Sequence, residues 1–267
     1  MNSSNFQIEL SQVTHAYKTK DGPLPVLNNL SLQMQKGTFT AVVGPSGCGK
    51  STLTRLIAGL LIPDQGDVYL HGEKVKSPRA TVGMAFQNPV LLEWRTILEN
   101  VLLPLEIVPN KLSKAEKETR GRELLSMVGL EGFEDKKPSE LSGGMRQRAS
   151  LCRSIVHRPE VLILDEPFGA LDAFTREDLW QIMHSIRVKE NVTTLLITHD
   201  LRESVFLADQ IVVLSGRPAT AQYIAEGPLP MDRTLEDLYT PEATKLLAEL
   251  RRQIQIAQGR KDEGEAV

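Results

Sequence analysis

The stretch Gly44-Pro-Ser-Gly-Cys-Gly-Lys-Ser-Thr52 decides the fold of this 267-residue chain. It has the spacing Gly, four residues, Gly-Lys-Ser, and it lies between a β-branched run, Phe39–Val43, and the helically spaced segment Ser51–Leu60. Glycines let the backbone turn its N–H groups inward at a helix N-terminus, which creates an anion-binding nest. The pattern predicts a phosphate-binding loop in which Lys50 reaches the β- and γ-phosphates and the Ser51 hydroxyl ligates Mg²⁺.

A second motif is the apolar run Val161–Leu164, which ends in Asp165 and Glu166. A carboxylate at the tip of a buried strand beside a phosphate loop can hold Mg²⁺ through its water shell. We assign that function to Asp165, and we expect Glu166 to orient or deprotonate the attacking water. If no phosphate loop were present, a solvated loop or a helix cap would be the better explanation for two such acids.

Composition and charge exclude several classes of protein. The chain is 41% hydrophobic and 24% charged, with a net charge of −3, which argues against non-specific nucleic-acid binding. No apolar run approaches the roughly 18 residues that a membrane-spanning helix needs. The N-terminus lacks the pattern of a secretion signal, and Cys48 and Cys152 are too far apart in sequence to suggest a disulfide framework or a metal site. If the protein acts at a membrane, other chains must hold it there.

The order of apolar patterns predicts an α/β fold with a parallel sheet, an antiparallel β layer at the N-terminus and an inserted helical region. Between the first strands, Lys20–Pro25 is predicted to be a turn. The predicted strands are Gln7–Val13, Val26–Leu30, Leu32–Met34, Phe39–Val43, Asp67–Leu70, Thr81–Phe86, Val161–Leu164, Thr194–Thr198 and Ile211–Leu214. The predicted helices are Ser51–Leu60, Ile97–Leu103, Lys114–Val128, Gly144–Val156, Phe174–Val188 and Leu201–Ala208.

The segment Leu141-Ser-Gly-Gly-Met-Arg-Gln147 is the third motif. A serine and two glycines that open a helix form a second anion site, and a chain with one nucleotide loop would use it for the nucleotide of a partner subunit. With these motifs in this order, the sequence resembles the nucleotide-binding subunits of ABC transporters from residue 5 to about residue 230. The resemblance implies a P-loop NTPase (RecA-like) core. It also implies ATP and Mg²⁺ as cofactors.

The resemblance also implies the functions of individual residues. Lys50, Gln87, Glu166 and His199 would be catalytic, and Ser51, Gln87 and Asp165 would ligate Mg²⁺. The ATP-binding residues would be Tyr17, which stacks on adenine, and Gly44, Pro45, Ser46, Gly47, Cys48, Gly49, Lys50, Ser51 and Thr52. The residues that contact the ATP of the partner subunit would be Ser142, Gly143, Gly144 and Asp172. Met145 departs from the family pattern, in which many members have Gln, so no side-chain contact is assigned to it. The other histidines, His15, His71, His157 and His184, are interpreted as structural or surface residues.

The domain prediction places an ABC ATPase domain at residues 5–230. Its core and β layer would comprise residues 5–90 and 157–230, with a helical subdomain at 91–156. A short helical tail would occupy residues 231–267, with an amphipathic stretch near Leu235–Ile256 and a disordered end.

The resemblance further predicts the assembly and its function. Two copies would form a head-to-tail dimer around two ATP molecules and would bind two transmembrane permease subunits near Gln87 and Asn88–Arg95. The segment after Gln87 resembles the nitrate/sulfonate/taurine importer group, which predicts import of a small anion or a related organic compound, with a periplasmic or lipid-anchored substrate-binding protein. The location would be the cytoplasmic face of the bacterial inner membrane.

Two other classes share these motifs. The ATPase of an ABC exporter would keep all of them, and only the segment after Gln87 and the partner proteins would distinguish it. A non-transport ABC ATPase usually has a coiled-coil insertion or two cassettes in one chain, and neither pattern occurs in this sequence. A nucleotide sensor without turnover would be expected to lack Glu166 or His199, and both are present.

Overall fold

The computed structural model describes residues 6–169 and 171–259. The strands of these residues are β1 (Phe6–Thr19), β2 (Gly22–Gln35), β3 (Phe39–Val43), β4 (Gln65–Leu70), β5 (Glu73–Lys74), β6 (Val82–Ala85), β7 (Val161–Asp165), β8 (Thr193–Ile197), β9 (Gln210–Leu214) and β10 (Ala221–Glu226). The helices are α1 (Lys50–Ile57), α2 (Ile97–Ile107), α3 (Lys114–Met127), α4 (Gly143–Ile155), α5 (Ala173–Glu190), α6 (Leu201–Leu207) and α7 (Pro241–Ala257), with 3₁₀ turns at Pro138–Glu140 and Leu235–Tyr239. The first compact unit contains residues 6–79 and 193–259, and the second contains residues 80–192.

The first unit contains an antiparallel sheet with the strand order β2-β1-β4-β5. Its main feature is the β1–β2 hairpin, which is paired from Phe6↔Gln35 to Thr19↔Gly22. The N-terminal antiparallel layer is thereby confirmed, but the turn is shorter than predicted, since β2 already begins at Gly22. Two prolines, Pro23 and Pro25, lie inside β2. A proline is tolerated there because β2 is the edge strand and need not donate every N–H to a neighbour.

The first unit also contains a parallel arrangement in which β3 lies between β8 and β9. All residues of β3 and β8 are buried, as expected for a strand that is covered on both faces. β10 pairs antiparallel with β9 and was not predicted, because its sequence, AQYIAE, is mostly half-exposed and lacks an apolar run. Since β3 and β8 are parallel, their carboxyl ends meet at the same edge of the sheet.

The second unit contains the parallel pair β6–β7, in register from Val82↔Val161 to Ala85↔Leu164, and helices α2 to α5. Capping boxes at Thr96 and Ser113 start α2 and α3, where each side chain accepts the N–H of a residue three positions later. A Cβ at Gly121 of α3 would lie 2.7 Å from Leu98 Cδ1, so the two helices pack too closely there for a larger residue.

The C-terminal helix α7 belongs to the first unit and packs on α6, β9 and β10. Thr240 caps it, Pro241 occupies its first turn, and Ala243 and Leu250 are buried. The predicted amphipathic tail contains α7, while its last residues, 260–267, lie outside the described residues. The domain bounds stay a prediction: the proposed helical subdomain, 91–156, lies within the second unit, which also contains β6, β7 and α5. Within the described ranges, no helix combines the length and apolar character needed to span a bilayer.

Candidate functional site

The phosphate loop of the first unit connects β3 to α1. Gly49 has φ +125°, and a Cβ at this position would lie 2.7 Å from Val26 Cγ1 and 3.0 Å from Leu27 Cδ2. Glycine is thus required both by the backbone conformation and by the close approach of β2. Gly49 is also the N-cap of α1, and no side chain of the described part of the chain caps this helix. A helix start of this kind presents backbone N–H groups to an anion.

Lys50 is the cation of the loop. Its side chain is 8% exposed, and Nζ donates hydrogen bonds of 2.9 Å to the carbonyl oxygens of Gly44 and Pro45. The ammonium group is therefore held over the loop by the loop's own carbonyls. Phosphate oxygens can take over these hydrogen bonds, and bonds to a charged acceptor are the stronger ones.

Cys48 lies in the middle of the loop but is 2% exposed. Burial raises the pKa of its thiol above the usual range, while the nearby charge of Lys50 acts in the opposite direction. The thiol is therefore a buried neutral group of the loop, and it is not activated as a nucleophile.

Tyr17 on β1 is fixed next to the end of the loop. Its hydroxyl lies 3.2 Å from Thr52 Oγ1, and its ring meets the ring of His15 edge-on at a centroid distance of 5.1 Å. His15 is 8% exposed, and its Nδ1 lies 3.3 Å from Asp64 Oδ2. His15 thus supports the aromatic ring that is predicted to stack on adenine, a function that a single histidine in the sequence does not reveal.

His199 follows β8 at the edge of the sheet where the phosphate loop follows β3. The two strands are paired at Val42↔Ile197, and the N–H of Thr198 donates to the carbonyl oxygen of Val42 at 3.3 Å. His199 is exposed, whereas Thr198 is 2% exposed. The first unit therefore places His199, which is predicted to be catalytic, at the same edge as the phosphate loop.

In the second unit, the carboxyl ends of β6 and β7 bring Gln87 to Glu166. Gln87 Nε2 donates a hydrogen bond of 2.9 Å to Glu166 Oε2. Asp165 is the last residue of β7, and both acids are half-buried. Glu166 has φ +48°, a left-handed conformation that is uncommon for a residue other than glycine. Such backbone strain of about 1–3 kcal/mol concentrates at functional sites.

The third motif forms the start of α4. Ser142 is the N-cap, and its Oγ accepts the N–H of Met145 at 3.3 Å. This contact uses the backbone N–H of Met145 and does not involve its side chain. A Cβ at Gly144 would lie 2.9 Å from Leu171 Cδ2, whereas one at Gly143 would meet no atom of the described residues within 4 Å.

Asp172 is the N-cap of α5, and its Oδ1 accepts the N–H of Thr175 at 3.0 Å. The backbone N–H of Thr175 holds the pKa of the Asp172 carboxyl below its usual range. The residue thus has a function within its own chain, in addition to the predicted contact with the partner's nucleotide.

Comparisons with known proteins agree with this geometry. The family described as "ABC transporter" matches residues 27–169. The chain is 44% identical to the bicarbonate transport ATP-binding protein CmpD of Synechocystis sp., in a match that covers 79% of this chain and 75% of the relative. It is 37% identical to the aliphatic sulfonates import ATP-binding protein SsuB of Bacillus cereus, in a match that covers 85% of this chain and 88% of the relative. The chain belongs to the ABC transporter family.

A solved structure shows a similar protein after ATP hydrolysis. An ATP-binding cassette in a dimeric, post-hydrolysis state with bound ADP and Pi is 30% identical to this ABC chain, which it matches with a TM-score of 0.76 over 84% of this chain and 100% of the other. The predicted P-loop NTPase fold is therefore confirmed, and this ABC subunit is an ATP-binding, ATP-hydrolysing protein.

The sequence interpretation missed two polar residues of this ABC cassette, Thr198 and Glu203. Both are buried, and they are joined by a hydrogen bond of 3.0 Å from Thr198 Oγ1 to Glu203 Oε2. The available signal was an acidic residue in the first turn of α6, which ordinarily indicates only a favourable interaction with the helix dipole. That the carboxyl group points inward is decided by tertiary packing.

Proposed function

We propose that the chain energises the import of a small solute through two partner permease subunits, by binding and hydrolysing ATP as a head-to-tail dimer. The two relatives named above are described as bicarbonate and aliphatic sulfonate transport proteins, and both solutes are small anions. Their names support an anion of the nitrate, sulfonate or taurine type, or a related small organic compound, as the solute.

The hydrogen bond between Gln87 and Glu166 carries this proposal. Gln87 is followed by exposed apolar side chains, of which Val90 is 60% and Trp94 is 73% exposed. Exposed apolar residues of this kind are typical of a protein interface, and we assign them to the contact with a permease subunit. A movement of the segment after Gln87 would be transmitted through this single hydrogen bond to Glu166. The carboxylate of Glu166 is the group that acts on the attacking water.

The residues of the site fit Mg²⁺. Magnesium is usually bound by one or two protein oxygens together with substrate phosphates, rather than by a cage of side chains. We assign the ion to Ser51, Asp165 and Gln87, which offer hydroxyl, carboxylate and amide oxygens. When bound there, the ion would neutralise charge on the phosphate groups.

Residues of the chain itself orient the nucleotide, contact its phosphates and position the attacking water. Tyr17 orients the nucleotide by stacking on adenine, and Lys50 exchanges the carbonyls of its loop for phosphate oxygens. Glu166 accepts a hydrogen bond from the attacking water and thereby directs a lone pair of the water oxygen at the γ-phosphorus. His199 contacts the γ-phosphate. Phosphoryl transfer depends mainly on such positioning and charge stabilisation.

The partner subunit would complete each site. Ser142 and Gly143 are exposed, and the space around Gly143 is open to a Cβ, so the packing of the described residues does not require a glycine there. We infer that the space is used by the γ-phosphate of the nucleotide on the second copy, with Gly144 and Asp172 beside it. ATP would then close the dimer and move the permease subunits at the cytoplasmic face of the membrane.

A pull-down of the tagged chain from gently solubilised membranes, with mass spectrometry of its companions, tests the proposal. We expect a polytopic permease together with a periplasmic or lipid-anchored binding protein, which can then be screened for its ligand. A permease without a binding protein would indicate an exporter. Recovery of no membrane protein would refute the transport function and leave the ATPase activity intact.

A further inference from the structure

A polar side chain is buried on each side of His199, one in the turn between β8 and α6 and the other in the first turn of α6. Thr198 is 2% exposed and Glu203 is 4% exposed, while His199 between them is exposed. Carboxyl groups are seldom fully buried, because losing water costs free energy that hydrogen bonds must offset. An apolar residue of similar volume would serve stability at least as well, so a buried glutamate at this position suggests another function.

A chain of hydrogen bonds closes the turn. Thr198 Oγ1 donates to Glu203 Oε2 at 3.0 Å and accepts the backbone N–H of Asp200 at 2.9 Å. Asp200 Oδ1 in turn accepts the N–H groups of Arg202 at 2.9 Å and Glu203 at 3.3 Å. The Thr198 hydroxyl is thus oriented by Glu203 and fixes the peptide that follows His199.

The same turn is tied to the strand that carries the phosphate loop. The backbone N–H of Thr198 donates to the carbonyl oxygen of Val42, two residues before Gly44. The position of His199 relative to the loop therefore depends on the geometry of Thr198.

We propose that Thr198 and Glu203 are positioning residues for His199, which they hold in the orientation that the γ-phosphate requires. The inference rests on the proposed function of His199 and adds two residues to it. A displacement of about 1 Å in a catalytic group can lower turnover by about 100-fold.

The test compares Thr198→Val, His199→Ala and the double variant, each as the full-length chain. Valine keeps the shape of threonine but removes both hydroxyl hydrogen bonds. We expect Thr198→Val to lower kcat for ATP by about tenfold or more, with KM within about twofold of the wild-type value. If the hydroxyl acts through His199, the Thr198→Val change should lower kcat no further once His199 is alanine, which a purely structural function would not predict.

Thr193→Val is the matched control. Thr193 lies at the other end of β8, is 0% exposed, and its Oγ1 accepts the N–H of Gly37 at 2.9 Å. The Thr193→Val variant therefore loses a comparable buried hydroxyl without any change in the turn, and we expect its kcat to equal that of the wild type. Thr198→Ser, which keeps the hydroxyl, should retain most of the activity. If Thr198→Val does not fold, Glu203→Met breaks the same chain of hydrogen bonds from the other side.

Wild-type kcat in Thr198→Val, or losses that multiply in the double variant, would overturn the inference while the function of His199 stands. If His199→Ala itself turns over ATP at the wild-type rate, both the inference and the proposed function of His199 fail. These two failures are distinguished by the His199→Ala variant alone.

Discussion

Glu166 has the least ordinary backbone among the residues of the proposed catalytic centre. Its left-handed conformation, at φ +48°, aims the carboxyl group so that it accepts the amide of Gln87. A glycine would adopt this conformation without strain but would supply no carboxylate. We interpret the strain as the consequence of placing an acid directly after the last residue of a buried strand.

Replacing Glu166 by glutamine should separate nucleotide binding from hydrolysis. Glutamine keeps the size and the hydrogen-bonding oxygen, so we expect unchanged ATP affinity, but it cannot accept a proton, so kcat should fall by about 100-fold or more. Fluorescent-nucleotide titration and a phosphate-release assay measure the two effects. Glu160→Gln, before the first residue of β7, is the control and should turn over normally. Wild-type turnover in Glu166→Gln would remove the residue from the mechanism.

The thiols of Cys48 and Cys152 should react slowly in the folded chain. Burial raises the pKa of both groups, so the reactive thiolate is scarcer at pH 7 than in an unfolded chain and increases as the pH rises. We expect N-ethylmaleimide to label the native chain slowly at pH 7 and faster at pH 9, and to label the urea-unfolded chain at the ordinary rate of a free thiol. Rapid labelling of the native chain at pH 7 would contradict the burial of both groups.

At the scale of elements, the proposed sites would use the starts of three helices. α1 begins at the phosphate loop, α4 at Ser142 and α5 at Asp172. Two of these starts have a side-chain cap, while α1 has a glycine in that position and no cap from the described residues. The helix that is predicted to bind its own nucleotide is thus the one of these three without a side-chain cap from the described residues.

Gly143→Ala should stabilise the chain and yet inactivate it. Alanine in place of a helical glycine is worth about 0.5–1 kcal/mol, and the position has room for a Cβ within the described structure. If the partner's nucleotide uses this space, kcat should fall by about tenfold or more. Urea unfolding and ATPase assays measure both quantities.

Gly121→Ala is the control for this comparison, because its Cβ would clash with Leu98 inside the second unit. It should lose stability while the folded fraction keeps its turnover. A Gly143→Ala chain that is fully active would show that no nucleotide approaches the start of α4.

At the scale of the whole molecule, one chain carries both halves of a site that a head-to-tail dimer would combine. The phosphate loop belongs to the first unit and Ser142 to the second. In a symmetric dimer, each proposed site takes its loop from one copy and its serine from the other.

Mixing two inactive variants should therefore restore activity. Lys50→Ala removes the loop cation and Gly143→Ala blocks the other half of the site, so each homodimer has two defective sites. A mixed dimer has one site with both defects and one with neither, and a random 1:1 mixture should recover up to about a quarter of the wild-type turnover. The separate variants at the same total concentration are the control. If the mixture remains as inactive as its components, the two halves do not come from different copies.

The sequence alone predicted most of the elements, because their patterns are local. β3 was predicted with its exact bounds, and α2, α3 and α4 begin within one residue of their predicted starts. The helix starts are predictable because the threonine or serine cap and the apolar spacing of the helix lie next to each other in the sequence. β10 was missed because its sequence is largely polar, which a strand at the edge of a sheet tolerates. The first turn was predicted too long because prolines usually indicate a turn, whereas the edge strand β2 accommodates them.

The motifs themselves were also determined by the sequence, since a phosphate loop needs glycines and a lysine at fixed spacing whatever surrounds them. The tertiary structure decided which other residues support them. His15 packs against Tyr17, Gln87 donates to Glu166, and Glu203 turns inward to Thr198. Of these contacts, that between Gln87 and Glu166 joins residues 79 positions apart. Such pairs form only because parallel strands bring their carboxyl ends to one edge, and no local spacing in a single sequence records which side chains meet there.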